Sequence, residues 1–188
     1  MRYVYERTES TVEGLIPREG VPEPLPYVMS VSEVVPVNFK IPGCPPEPEE
    51  IFQCLKAILE GKKPELPRKN VCDECDKRKT GVLIRSLKRL HERLEDPERC
   101  LLEQGYLCMG PVTRAGCKAK CPKFNVPCDG CRGPPEETYD QGVSMLDALL
   151  TLAPERVDGY NLKTHSAAFH RYAFSSSPIM KLIKLMKK

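Results

Sequence analysis

Apolar positions in this chain fall into a few short periodic stretches separated by long polar or proline-punctuated runs. Residues 1–33 carry no clear period. Glu13-Gly14-Leu15-Ile16-Pro17 and the run holding Pro22, Pro24 and Pro26 read as loop, because proline lacks a backbone donor and blocks helix. Residues 34–41 are β-branched and apolar, and they form the best strand candidate. Pro36 within them points to an edge or a strand start. The segment runs into Ile41-Pro42-Gly43-Cys44-Pro45-Pro46, which predicts a tight turn that presents the Cys44 sulfur at the strand's C-terminal end. The competing reading is a turn with an inert thiol.

Helical periodicity appears four times. In residues 49–61, Ile51, Leu55, Ile58 and Leu59 lie on one face. Glu49 and Glu50 complement the helix dipole there, and Gly61 ends the helix. Cys54 lies on the apolar side and reads as a core thiol. In residues 86–94, Leu87, Leu90 and Leu94 make a narrow stripe. In residues 140–152, Val143, Leu146, Leu149 and Leu150 make a broader one, closed off by Pro154. Tyr160, Phe169, Tyr172 and Phe174 supply the aromatic mass of the tail. After Ser175-Ser176-Ser177-Pro178 a short basic helix runs to Lys188, with Ile179, Met180, Leu182, Ile183, Leu185 and Met186 as its greasy side. It reads either as a docking element or as a helix packed on its own domain.

Composition makes this pattern look thin. The chain has 188 residues, 40% apolar and 6% aromatic, with no Trp, 19 Pro and 12 Gly. A core of that kind calls for a cofactor or a partner to hold it. The formal charge of +3 gives no reason to expect nucleic acid. The first residues, Met1 to Arg7, contain no apolar signal region, and no apolar run reaches the roughly 18 residues of a membrane span. A cytoplasmic location is therefore expected, and with it ten cysteines that serve as metal ligands rather than disulfides.

Eight of those cysteines lie between Cys72 and Cys131, spaced C-x2-C-x24-C-x7-C and then C-x3-C-x6-C-x2-C. Eight is two sets of four, the number that a tetrahedral metal or a cubane iron–sulfur cluster requires. Glycines and prolines throughout residues 100–135 predict an irregular loop that only a metal can organise. Zinc ribbons usually use two C-x2-C knuckles per metal. Here Cys72/Cys75 and Cys128/Cys131 give each sequential foursome one. Gly116 and Gly130 beside ligands would let N–H groups approach cluster sulfides, and Cys121-Pro122 is a ferredoxin-like step. Two clusters are the favoured reading, and a zinc-stabilised binding module is the alternative. No phosphate loop, Gly-x-Ser-x-Gly or His-Glu-x-x-His occurs. His91, His165 and His170 are scattered and read as surface or packing residues.

Several of these residues carry a family resemblance. The Ile41-to-Pro46 turn, followed by Pro48-Glu49-Glu50-Ile51, looks like the proximal-cluster turn of NiFe-hydrogenase small subunits and their complex I relatives. Cys100-Leu101-Leu102-Glu103-Gln104-Gly105-Tyr106-Leu107-Cys108-Met109-Gly110-Pro111 leads on to Gly116-Cys117 and Asn125-Val126-Pro127-Cys128-Asp129-Gly130-Cys131-Arg132-Gly133-Pro134. That block resembles the small subunit of the methyl-viologen-reducing NiFe hydrogenase, the heterodisulfide reductase-associated group.

The resemblance implies a distal 4Fe-4S cluster on Cys72, Cys75, Cys100 and Cys108, and a medial one on Cys117, Cys121, Cys128 and Cys131. Cys44 would be the last ligand of a proximal cluster. The family draws its other proximal ligands from an N-terminal flavodoxin-like part, and no cysteine precedes Cys44 here. The expectation is therefore two 4Fe-4S clusters, with the proximal one in doubt and its missing half either lost, miscalled or a separate chain. The implied fold is small and mostly irregular, with short helices organised by metal clusters. Residues 1–63 would be the remnant of a flavodoxin-like α/β domain, residues 64–135 the two-cluster domain, and residues 136–188 a helical docking segment. The implied role is a non-catalytic electron-transfer subunit, and catalytic residues are absent from it. Its partners would be a hydrogenase large subunit or its replacement, an iron–sulfur adaptor and heterodisulfide reductase subunits, as in methanogenesis.

Overall fold

The computed structural model describes residues 19, 20, 22, 28–152, 167–179, 181 and 182. Helix α1, Val31–Val34, is one turn, started where the Ser30 N–H donates to the Glu33 carboxylate at 2.7 Å. The strand expected over residues 34–41 does not form. Val34 ends α1, and the chain then runs on as coil to an isolated bridge between Gly43 and Pro46. A strand needs a ladder partner, and among the described residues Val34, Val35 and Val37 face solvent instead.

Helix α2, Pro48–Leu59, forms where its period predicted, with proline at its first turn. Its expected inward face does not pack. Cys54 is buried as expected, and Ile51 is half-buried, but Phe52, Leu55, Ile58 and Leu59 are exposed. Ions join α2 to the rest of the chain. Lys120 reaches Glu47 at 2.6 Å, and Arg132 reaches Glu50 at 2.7 Å.

Residues 86–94 are turns rather than the helix expected. The Lys88 N–H donates to Gly105 O at 2.8 Å, and the Arg89 N–H donates to the Glu92 carboxylate. Those partners replace the i→i−4 bonds of a helix. The Tyr106 hydroxyl then donates to Glu92 O at 2.9 Å and clamps the segment. Residues 100–135 are irregular as expected, apart from a 3-10 turn at Gly110–Val112 and helix α3, Lys120–Lys123. Single bridges, Asn70 with Arg114, Arg78 with Arg99 and Lys88 with Tyr106, stand in for a sheet.

Helix α4, Gln141–Leu152, is capped by Asp140, whose carboxylate accepts the Gly142 and Val143 N–H groups at 3.0 and 3.1 Å. Its buried face is rotated from the predicted stripe. Met145 and Leu149 are inside, whereas Val143, Leu146 and Leu150 are exposed. Those inside residues join Val71, Met109, Val112 and Phe169 in a core that also includes the Cys108 and Cys128 side chains. The Ser177 hydroxyl donates to Asp140, tying the C-terminal segment to the start of α4. Helix begins again at Pro178. Tyr160, His165 and the remainder of the predicted basic helix lie outside the described residues.

Candidate metal centre

Long-range backbone bonds place the cysteines. A 3-10 turn, Val71–Asp73, carries Cys72, and it is pinned where the Val71 N–H donates to Thr113 O at 2.8 Å. The Cys100 N–H donates to Arg78 O at 2.8 Å, which draws Cys100 to the segment after Cys75. The Met109 N–H donates to Cys128 O at 2.7 Å and holds Cys108 against the last knuckle. Together these bonds set Cys72, Cys75, Cys100 and Cys108 around one cavity of about 290 Å³, walled by Val71, Leu101, Leu102 and Leu152 with Lys77 and Lys79 alongside. A cavity of roughly 150 Å³ already accommodates benzene. Gly110 stands where a side chain would intrude, since a Cβ there would meet the Cys72 sulfur at 3.2 Å and the Cys108 sulfur at 3.6 Å.

The second set is more open. The Cys121 thiol is pushed up by burial and then by Cys131 and Cys117. Cys128 is buried, and Cys108 and Cys131 add to the effect of burial in pushing its thiol up. The two sets touch there, because the Cys128 N–H donates to the Cys108 sulfur at 3.3 Å. Cys44 is exposed and does not line the cavity of the first set. Cys54 is buried in α2 and does not line that cavity. His91 is exposed, and His170 packs its ring on Gly142, so neither adds a ligand. Among the described residues, no three His, Cys, Asp or Glu side chains are gathered tightly enough to share one metal ion. The first four thiols ring a space instead, and that donor set fits a compact sulfide cluster.

Burial governs the protonation of these thiols. It pushes Cys72 from 9.0 up to about 12, against the pull of Lys79. It pushes Cys108 to about 12, against N–H donors from Cys128 and Gly110. Cys128 rises to about 12 by burial and the nearby Cys108. In the metal-free protein these folded-state values exceed the unfolded one. Their contribution to stability is therefore complete below pH 9 and is lost as pH rises from 9 toward 12. The expected result is a urea midpoint of metal-free protein that is flat from neutral pH to 9 and falls above it. A midpoint unchanged up to pH 11 would contradict the burial of these thiols.

Sequence reading missed the residues that hold these loops. The Arg132 side chain is 1% exposed. Its guanidinium donates to Ala115 O at 2.9 Å, to Pro42 O at 3.1 Å and to both Glu50 oxygens at 2.7 and 2.9 Å. One side chain thus joins the Cys44 turn, helix α2, the Cys117 loop and Cys131. Gly116, at φ +116°, exists to admit it, because a Cβ would stand 2.5 Å from Arg132 Nη2. Thr113, fully buried, donates its hydroxyl to Met109 O and receives the Gln141 amide at 3.2 Å. An arginine beside a cysteine was the one available signal, and many surface arginines share it.

No family model matches the chain. The chain is 45% identical over 149 residues to the G-type subunit of the vhu F420-non-reducing hydrogenase of Methanocaldococcus jannaschii, covering 79% of this chain and 52% of that one. It is 38% identical over 181 residues to the G-type iron-sulfur subunit of the F420-non-reducing hydrogenase of Archaeoglobus profundus, covering 89% and 56%. Identity to the G-type subunit of the F420-non-reducing hydrogenase of Methanothermus fervidus is 36% over 120 residues, covering 57% of this chain and 93% of that one. The chain therefore spans about half the length of the first two relatives.

Proposed function

Because the chain belongs to the family of G-type subunits of F420-non-reducing hydrogenases, we propose that it is an electron-transfer subunit of a hydrogenase-type complex holding two 4Fe-4S clusters. The resemblance to this hydrogenase family read from the cysteine blocks is borne out by the relatives. One relative is named as an iron–sulfur subunit, which supports clusters of that kind here. The observation that carries the reading is the 290 Å³ cavity ringed by four thiols.

Such clusters supply one-electron transfer when bound. Cys72, Cys75, Cys100 and Cys108 would hold one, and Cys117, Cys121, Cys128 and Cys131 the other. The chain does the rest. The N–H groups of Cys128 and Gly110 donate to the Cys108 sulfur, which favours its thiolate. Leu101, Leu102 and Leu152 wall the first cavity with apolar groups. Arg132 sets a permanent, Glu50-paired charge beside Cys131. Contact between the sets at Cys108 and Cys128 offers a short route for an electron.

The partners are other subunits of the complex, with a hydrogenase large subunit or its replacement and heterodisulfide reductase subunits as the candidates, in the cytoplasm. The exposed row Phe52, Leu55, Ile58 and Leu59 on α2 is a natural place for such a neighbour. Among the described residues, no helix is long and apolar enough to cross a membrane.

Metal and sulfide analysis of protein purified without oxygen tests the reading. The expected content is about eight iron and eight sulfide per chain, as two four-iron clusters need. Nickel in the same preparation would place a large subunit beside it. One or two zinc with little iron would replace the electron-transfer reading by a structural module.

A further inference from the structure

Glu74 lies between Cys72 and Cys75, yet its carboxylate points away from that knuckle to the other cysteine set. One oxygen accepts the Gly116 N–H at 2.9 Å, and the other accepts the Lys118 N–H at 2.8 Å. Those are the residues on either side of Cys117. The loop so held is costly for the chain, because Lys118 at φ 56° and Ala119 at φ 49° are consecutive non-glycine residues in the left-handed region. A conformation of that kind persists only where its surroundings impose it, and Glu74 supplies two of the bonds that do so. Ala119 itself is fully buried.

We propose that Glu74 is a positioning residue that couples the two cysteine sets, holding the Cys117 loop in place from the Cys72/Cys75 knuckle. The inference rests on the two-cluster reading above. Two consequences follow from the geometry. Backbone donors flanking a ligand normally turn to cluster sulfur and raise its potential; here Glu74 engages both. Its negative charge beside Cys117 also disfavours the reduced, more negative form of the second cluster. Glu74 therefore keeps the second potential low while shaping the loop that carries one of its four ligands.

The test compares Glu74→Gln and Glu74→Ala with the natural chain, using iron and sulfide content, redox titration followed by electron paramagnetic resonance, and site-resolved amide exchange. Signals are assigned to a set from a Cys100→Ala chain, which keeps the four thiols of the second set and the bond from the Cys128 N–H to the Cys108 sulfur. Glutamine keeps the shape, loses the charge and can accept only one of the two N–H groups. The expected result is an upward shift of the second potential with the first unmoved. Alanine is expected to lose about half of the bound iron, the share of one four-iron cluster, and to speed exchange at Gly116 and Lys118. If the alanine chain fails to fold, the glutamine chain carries the test. Full iron, natural potentials and unchanged exchange in both variants would overturn the proposal. So would equal shifts of the two potentials, which would mark a general charge effect. If the natural chain itself holds no clusters, the electron-transfer reading fails, and amide exchange in the metal-free protein still decides whether Glu74 holds this loop.

Discussion

Replacing Arg132 by methionine is expected to cost about 3–5 kcal/mol of stability, the range for removing one partner of a buried ion pair. The guanidinium is 1% exposed and Glu50 13%. The substitution strands the Glu50 carboxylate and leaves Ala115 O and Pro42 O without their donor. The cost lies chiefly in the stranded charge, so the sign can be checked by removing that too. An Arg132→Met, Glu50→Met chain should recover most of the loss, because apolar replacement of a whole buried pair is often neutral. Urea unfolding of the cluster-loaded protein measures both. A single-variant loss under about 0.5 kcal/mol, the scatter typical of surface substitutions, would mean that Arg132 does not organise the site.

The second large effect is expected at Cys108. It is buried, it lines the cavity of the first set, and its sulfur accepts the Cys128 N–H. In Cys108→Ala the first set keeps three thiols, and the Cys128 N–H is left buried without an acceptor, at roughly 1–3 kcal/mol. Iron is expected to fall from about eight to about four per chain, as one of two four-iron clusters is lost. The surviving signal should be perturbed, because Cys128 belongs to the other set and loses a bond. By contrast, Cys54→Ala is expected to leave iron content unchanged, since that thiol is buried in α2 and does not line the first cavity. Retention of all the iron in Cys108→Ala would remove it from the ligand set.

Much of the candidate site could be read in advance because its chemistry is local. Four-cysteine groupings, glycines beside ligands and the absence of regular structure over residues 100–135 depend on spacing and composition. Helices α2 and α4 were visible through their apolar periods, whereas the Asp140 cap of α4 emerged only in the structure. Their packing was not. Period identifies a helix but not the side that finds a partner. In α4 only Leu149 of the expected stripe is buried, and in α2 the expected face looks outward. The strand expected over residues 34–41 was drawn from β-branched composition alone, and no neighbouring strand exists among the described residues to complete it.

What the sequence by itself determined is therefore the number and spacing of the cysteines, and the family. Each of these depends on residue identity over short distances. Only the tertiary structure decided how the foursomes are held and joined. Arg132 meets Glu50 across 82 positions, and Glu74 meets Gly116 across 42. The physical reason is that a charged group withdrawn from water must find an opposite charge or hydrogen-bond partners wherever the folded chain brings them. In a domain with so little apolar core, those distant polar pairings place the loops that carry the sulfurs.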